Sequence, residues 1–180
     1  MWKSDQRDGR AAIAHSDRHV IKMIVESAQL LSTAHVFLDG SLTASARVPK
    51  ILKATHSNHP SARWVRSSAE AYEWVHQLMG YLILEHFIRW GSRAHVYSHG
   101  GRSSLWAQLS TIPLNMPLIP ASEPAQVVPP CCRRSNAVGA YRAYYCNHKS
   151  HIATWKPPRT TPDWWQIPDL SGHLHTETKR

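Results

Sequence analysis

His19, Lys22, Glu26, Gln29 and Thr33 lie 3, 4, 3 and 4 residues apart, a spacing that stacks side chains along one face of an α-helix. A carboxylate in such a row, with a lysine one turn and a histidine two turns before it, can serve as a general acid or base. It can equally serve as a fixed negative charge beside a developing cation. The same row also reads as a solvated helix face whose Lys22–Glu26 pair is worth about 0.3–0.5 kcal/mol. A second cluster, Ser57-Asn58-His59-Pro60, stands where a helix begins and free N–H groups favour an anion, with Arg63 and Arg66 close behind. Its plain alternative is that Asn58 caps the helix. A third, in AYRAYYCNHK, sets Arg142 and Tyr145 three apart and Lys149 four further on. Two cations around an aromatic ring suit a nucleic-acid backbone and a base, and the competing reading is a helix whose tyrosines fill the core.

Other chemistries lack their signatures. Glu85 and Arg89 stand four apart, the spacing of a helix ion pair. His86, His95 and His99 show no HxH or HExxH pattern, and Cys131 and Cys132 are adjacent, an awkward arrangement for two ligands of one zinc. The expectation is therefore no metal and no cofactor. A Gly-rich phosphate loop and a GxSxG elbow are both missing.

The elements that must position these groups are helical. Met23, Ile24, Ser27, Leu30, Leu31 and Ala34 give a helix over residues 17–37 its apolar face, and Asp39-Gly40 ends it. Residues 41–59, rich in Ser, Thr and Lys, read as a loop. Pro60 opens a long helix running to Trp90, with Trp64, Ala71, Trp74, Val75, Leu78, Leu82 and Ile83 as its buried stripe. A short helix is expected over 103–109 and a last one over 137–155, ended by Pro157-Pro158. The Pro-rich segment from 113 to 130 is either an ordered strap or a mobile loop, and TPDWWQIPDL reads as an aromatic strap. No strand alternation is visible. The reading is all-α: one compact domain of three to four main helices over 11–165, between a flexible N-terminus (1–10) and a flexible tail (166–180).

The 180 residues carry 21 Lys and Arg against 12 Asp and Glu, a formal charge of +9, together with eight tryptophans. Such a basic chain attracts polyanions, and indoles stack on bases as readily as they fill cores. No apolar run approaches the roughly 20 residues that span a bilayer, and the N-terminus lacks the apolar core of a secretory signal. The three cysteines read as reduced thiols rather than a disulfide frame. A cytoplasmic setting is expected.

Taken together, the blocks DRHVIKMIVESAQLLSTAH, NHPSARWVRSSAEAYEWVHQL, LEHFIRWGSRAH, AYRAYYCNHKSHIATWK and TPDWW resemble a family of phage and bacterial pyrimidine-dimer-glycosylase-like proteins. More distantly they resemble the endonuclease V of T-even phages, an all-α DNA glycosylase that also nicks the strand. The resemblance spans roughly residues 11–165. It implies that Glu26 matches the carboxylate acting at the sugar and that His19 and Lys22 face the same site. Asn58 and His59 match the NHP block, and Arg66, Glu85, Arg89 and His95 match other recurrent positions. It implies double-stranded DNA as partner, a damaged or modified pyrimidine as target, and the cell of a bacterium or a phage-infected host as setting. One departure stands out: the glycosylase attacks with the amine of an N-terminal threonine, whereas residue 2 here is Trp2. The expectation is a glycosylase-like enzyme with water as nucleophile. The alternatives are a group-transfer enzyme acting on a DNA base, and a non-catalytic DNA-binding module.

Overall fold

The computed structural model describes residues 9–91 and 104–166. Within them the chain is all helical, with no strand. Seven α-helices follow in order: α1 (Arg10–Ala14), α2 (Asp17–Asp39), α3 (Ser41–Arg47), α4 (Pro60–Val65), α5 (Ala69–Trp90), α6 (Leu105–Gln108) and α7 (Ala137–His148). Two 3₁₀ turns, Pro130–Cys132 and Ser150–Ile152, flank α7. No helix among the described residues is long and apolar enough to cross a membrane. Trp2, His95 and His99 lie outside the described residues, as do most of the two terminal segments expected to be flexible.

The core forms where α2 meets α5. Val20, Ile24, Ala28 and Leu31 recur every three or four residues on α2 and bury against Tyr72, Val75, Met79 and Leu82 of α5. Each large apolar side chain buried there contributes about 1.5–3 kcal/mol relative to exposure. One polar pair crosses this seam. His35 Nε2 lies 3.0 Å from the Tyr72 hydroxyl, which itself donates to the Leu109 carbonyl at 2.9 Å. That relay ties both long helices to the end of α6.

Three boundaries differ from the sequence expectation. The loop expected over 41–59 contains α3, because Gly40 adopts φ 78°, ends α2 with its N–H on the Val36 carbonyl, and starts a new helix at once. The single helix expected from Pro60 to Trp90 is two helices. Ser67 Oγ donates to the Trp64 carbonyl and Ser68, extended at φ −161°, accepts the Ala71 N–H, so two hydroxyls compete with the helical ladder. The last helix stops at His148 instead of continuing to residue 155.

The Pro-rich segment is an ordered strap. Its backbone is caught at its start and near its middle by carboxylates: Asp39 accepts the N–H groups of Leu114 (2.8 Å) and Asn115 (3.0 Å), Glu70 that of Ala121 (2.8 Å). Burial raises the Asp39 pKa, but the two N–H donors outweigh it, with His35 and Arg47 adding to them, and hold the carboxyl below its usual range. Trp64 Nε1 donates to the Ser122 carbonyl at 2.8 Å, and the Glu123 carboxylate accepts the Ala137 N–H, steering the chain into α7.

The C-terminal stretch folds back as expected of an aromatic strap. Asp17 is its anchor, accepting from Thr154 Oγ1 (2.9 Å) and from the Lys156 N–H (3.0 Å), while its own N–H donates to the Thr154 carbonyl (2.8 Å). Trp164 and Trp165 then pack edge-on against Tyr145 and Trp155.

Candidate functional site

Between α2, α7 and the two straps runs a cleft of about 1150 Å³. Its geometry follows from the helices behind it. The face of α2 opposite the core carries His19, Lys22 and Glu26 into the cleft, with Met23 and Leu30 forming the apolar floor between them. α7, started by Asn136 Oδ1 accepting the Gly139 N–H at 2.8 Å, presents Arg142 and Tyr145 to the cleft, and Lys149, just after the helix, adds its ammonium. Trp64 and Trp74, edge-on at 5.8 Å, and Arg159 to Trp164 complete its lining.

Glu26 stands 3.2 Å from Lys22 Nζ, and its side chain is 41% exposed, inside the concavity. The solvated-face reading is therefore right about the pair and incomplete about its surroundings. His19 is not a cation near neutrality. Burial, then the charges of Lys149 and Lys22, lower its pKa, and its ring packs edge-on to Tyr145 at 4.9 Å. Tyr145 stays protonated, since burial raises its pKa and Glu26 adds to that against a hydrogen bond with Ser16. The positive groups of the cleft are Arg10, Lys22, Arg142, Lys149 and Arg159, facing Glu26 and Asp163. Two of them lie over rings: Arg142 is 5.4 Å from the Trp164 centroid and Lys149 Nζ 5.2 Å from that of Tyr144.

Other expected contacts fall elsewhere. Arg89 is 3% exposed, with its guanidinium donating to Asp17 Oδ1 (3.0 Å) and to the His15 and Ile13 carbonyls (both 2.9 Å). Its Nε donates to Glu85 Oε2 at 3.2 Å, and Arg159 grips the same carboxylate. It is an interior brace, not a DNA contact, because no donor is left pointing outward. Arg66 donates to the Ser57 carbonyl and covers the Phe37 ring at 4.0 Å, away from the cleft. Asn58 and Arg63 are exposed but outside it. His59 does reach the cleft rim, and it, not Asn58, caps α4 by accepting the Ser61 N–H at 3.2 Å. With six residues and that cap, α4 offers little dipole to an anion.

Sequence reasoning misses His15, Arg10, Tyr144 and Arg159. His15 precedes His19 by four residues, a signal that is present but hidden by the break between α1 and α2. Its Nδ1–H donates to the Ala11 carbonyl at 2.6 Å. Desolvation, opposed by that bond and helped by His19 and Arg89, pushes its pKa down to about 4 from 6.5. A histidine that folds neutral stabilises the fold above the unfolded value and loses that contribution as pH falls from about 6.5 towards 4. Denaturant titrations across that window should show stability falling as acid is added. In His15→Gln the slope should be shallower by up to one proton, and an unchanged slope would mean that His15 is already solvated.

Cys131 and Cys132 also behave differently from expectation. Adjacent residues diverge in a strand, but here they sit in a 3₁₀ turn, and their sulfurs come to 3.8 Å. His148 Nε2 lies 3.7 Å from Cys131 Sγ, and the three ligand atoms fall within 4.8 Å of one another.

No family model, curated protein or solved structure matches this chain.

Proposed function

We propose that the protein is a DNA-binding enzyme that acts on a damaged or modified pyrimidine, breaking its N-glycosidic bond in the manner of a DNA glycosylase. The observation that supports this best is Glu26, a carboxylate inside a cleft roomy enough for a flipped nucleotide, between rings that can stack and cations that can hold phosphate. As the base departs with the bonding electrons, positive charge builds on C1′ and O4′, and the Glu26 carboxylate stabilises it. Water then adds at C1′; its proton passes to Glu26 and from there to the departing base anion, which leaves as the neutral base while Glu26 returns to its carboxylate form. His19 lies two helical turns away, about 10 Å along the axis, too far to serve the same atom. In this reading its neutral ring and Tyr145 contact the neighbouring nucleotide instead. Lys22, paired with Glu26 at 3.2 Å, lies within reach of a phosphate.

Incubation with duplexes carrying a cyclobutane dimer, uracil or 5-hydroxymethyluracil should yield abasic sites with at least one. Failure with all three, alongside retained binding, would favour the non-catalytic module. A product of altered mass with no abasic site would favour group transfer. Arg142 and Lys149 test the partner itself. Changing either to Gln should flatten the salt dependence of DNA affinity by about one unit for each phosphate that is no longer neutralised. An unaltered slope would place DNA on another face.

A further inference from the structure

The cysteine pair and His148 sit outside the cleft described above, and their spacing can be compared directly with a metal centre. Two thiolates on one tetrahedral zinc, each about 2.3 Å from the ion, stand about 3.8 Å apart, and a thiolate and an imidazole nitrogen about 3.6 Å. The two corresponding separations here are 3.8 Å and 3.7 Å. Cys132 is buried, whereas Cys131 and His148 are exposed, so the cluster has a fixed base and an open mouth. We propose that Cys131, Cys132 and His148 bind one zinc ion, with water completing the tetrahedron. Binding displaces the two thiol protons to solvent and leaves the imidazole neutral. The ion would fasten the 3₁₀ turn ending the Pro-rich strap to the last turn of α7, the helix that carries Arg142 and Tyr145 into the cleft. Asn147 Nδ2, 3.9 Å from Cys132 Sγ, is placed to donate to that sulfur.

Cobalt(II) is the probe, added to the reduced, metal-free full chain, because thiolate–cobalt charge transfer reports sulfur ligation directly. Wild type should saturate at one equivalent with the spectrum of a tetrahedral site, and zinc should displace it. Cys131→Ser and His148→Gln alter exposed side chains and should fold. Each should weaken binding by at least about 10-fold, the loss that even outer-sphere changes produce. Cys146→Ser, on α7 but outside the cluster, should bind like wild type. The proposal is overturned by a wild type that shows no charge-transfer band at one equivalent. A band of unaltered intensity and affinity in Cys131→Ser, or one that disappears in Cys146→Ser, overturns it too, and a band unaltered in His148→Gln removes the histidine from the ligand set.

Discussion

Glu26→Gln is expected to lower the rate of base release by about 100- to 1,000-fold, the range for removing one preorganised stabiliser of transition-state charge. The replacement keeps the shape of the side chain and deletes only its negative charge. The ground-state complex should therefore survive, and DNA affinity should hold or rise, because a repulsion towards phosphate disappears. Thermal unfolding should move little, since the Lys22–Glu26 pair is largely exposed and contributes well under 1 kcal/mol. Single-turnover kinetics beside equilibrium binding would separate these effects. Equal losses in rate, binding and stability would make Glu26 a structural residue and end the enzymatic reading.

Arg89→Met should cost about 3–5 kcal/mol of folding stability, the typical result of breaking a buried ion pair from one side. The change would leave the Ile13 and His15 carbonyls without their donor, and Asp17 and Glu85 without a buried counter-charge. Arg159 would still face Glu85, and the Thr154 hydroxyl Asp17, so the loss should fall short of complete unfolding. Lys22→Met, at an exposed position, is the control and should shift stability by less than about 1 kcal/mol. Denaturant midpoints of the two variants measure the contrast. If Arg89→Met unfolded like wild type but bound DNA poorly, the arginine would have to be solvent-facing after all.

Those two residues also show what is legible in the sequence. The Glu26 row can be read because a face of period 3.6 is a local property, and α2 is long enough to display it. Arg89 is misleading for the opposite reason. Its pair with Glu85 is recorded in the four-residue spacing, but Asp17 and two carbonyls near it lie over 70 residues earlier, and nothing in the spacing around Arg89 records them. Sound periodicity assigns Trp64 and Trp74 to a buried stripe, yet they border the cleft, because periodicity shows that a face is covered and not by what. The break at Ser67-Ser68 is hidden by strong helix formers on both sides, which outweigh two hydroxyls. The Pro-rich strap has no periodicity to read. Its order depends on Asp39 and Glu70, carboxylates of other helices that accept its backbone N–H groups, and on its own Glu123, which accepts the N–H that opens α7.

The attachment of residues 154–164 to Asp17 has a consequence for biosynthesis. One side of the cavity comes from chain translated some 140 residues after the helix start that receives it. The α2–α5 core can form while the nascent polypeptide is still emerging, but the hollow cannot be completed until this late stretch has left the ribosome. Closing so long a loop is slow relative to pairing neighbouring helices. A partly synthesised chain would therefore own a folded scaffold and an unfinished cavity, and any activity should arise only after the last turn of folding.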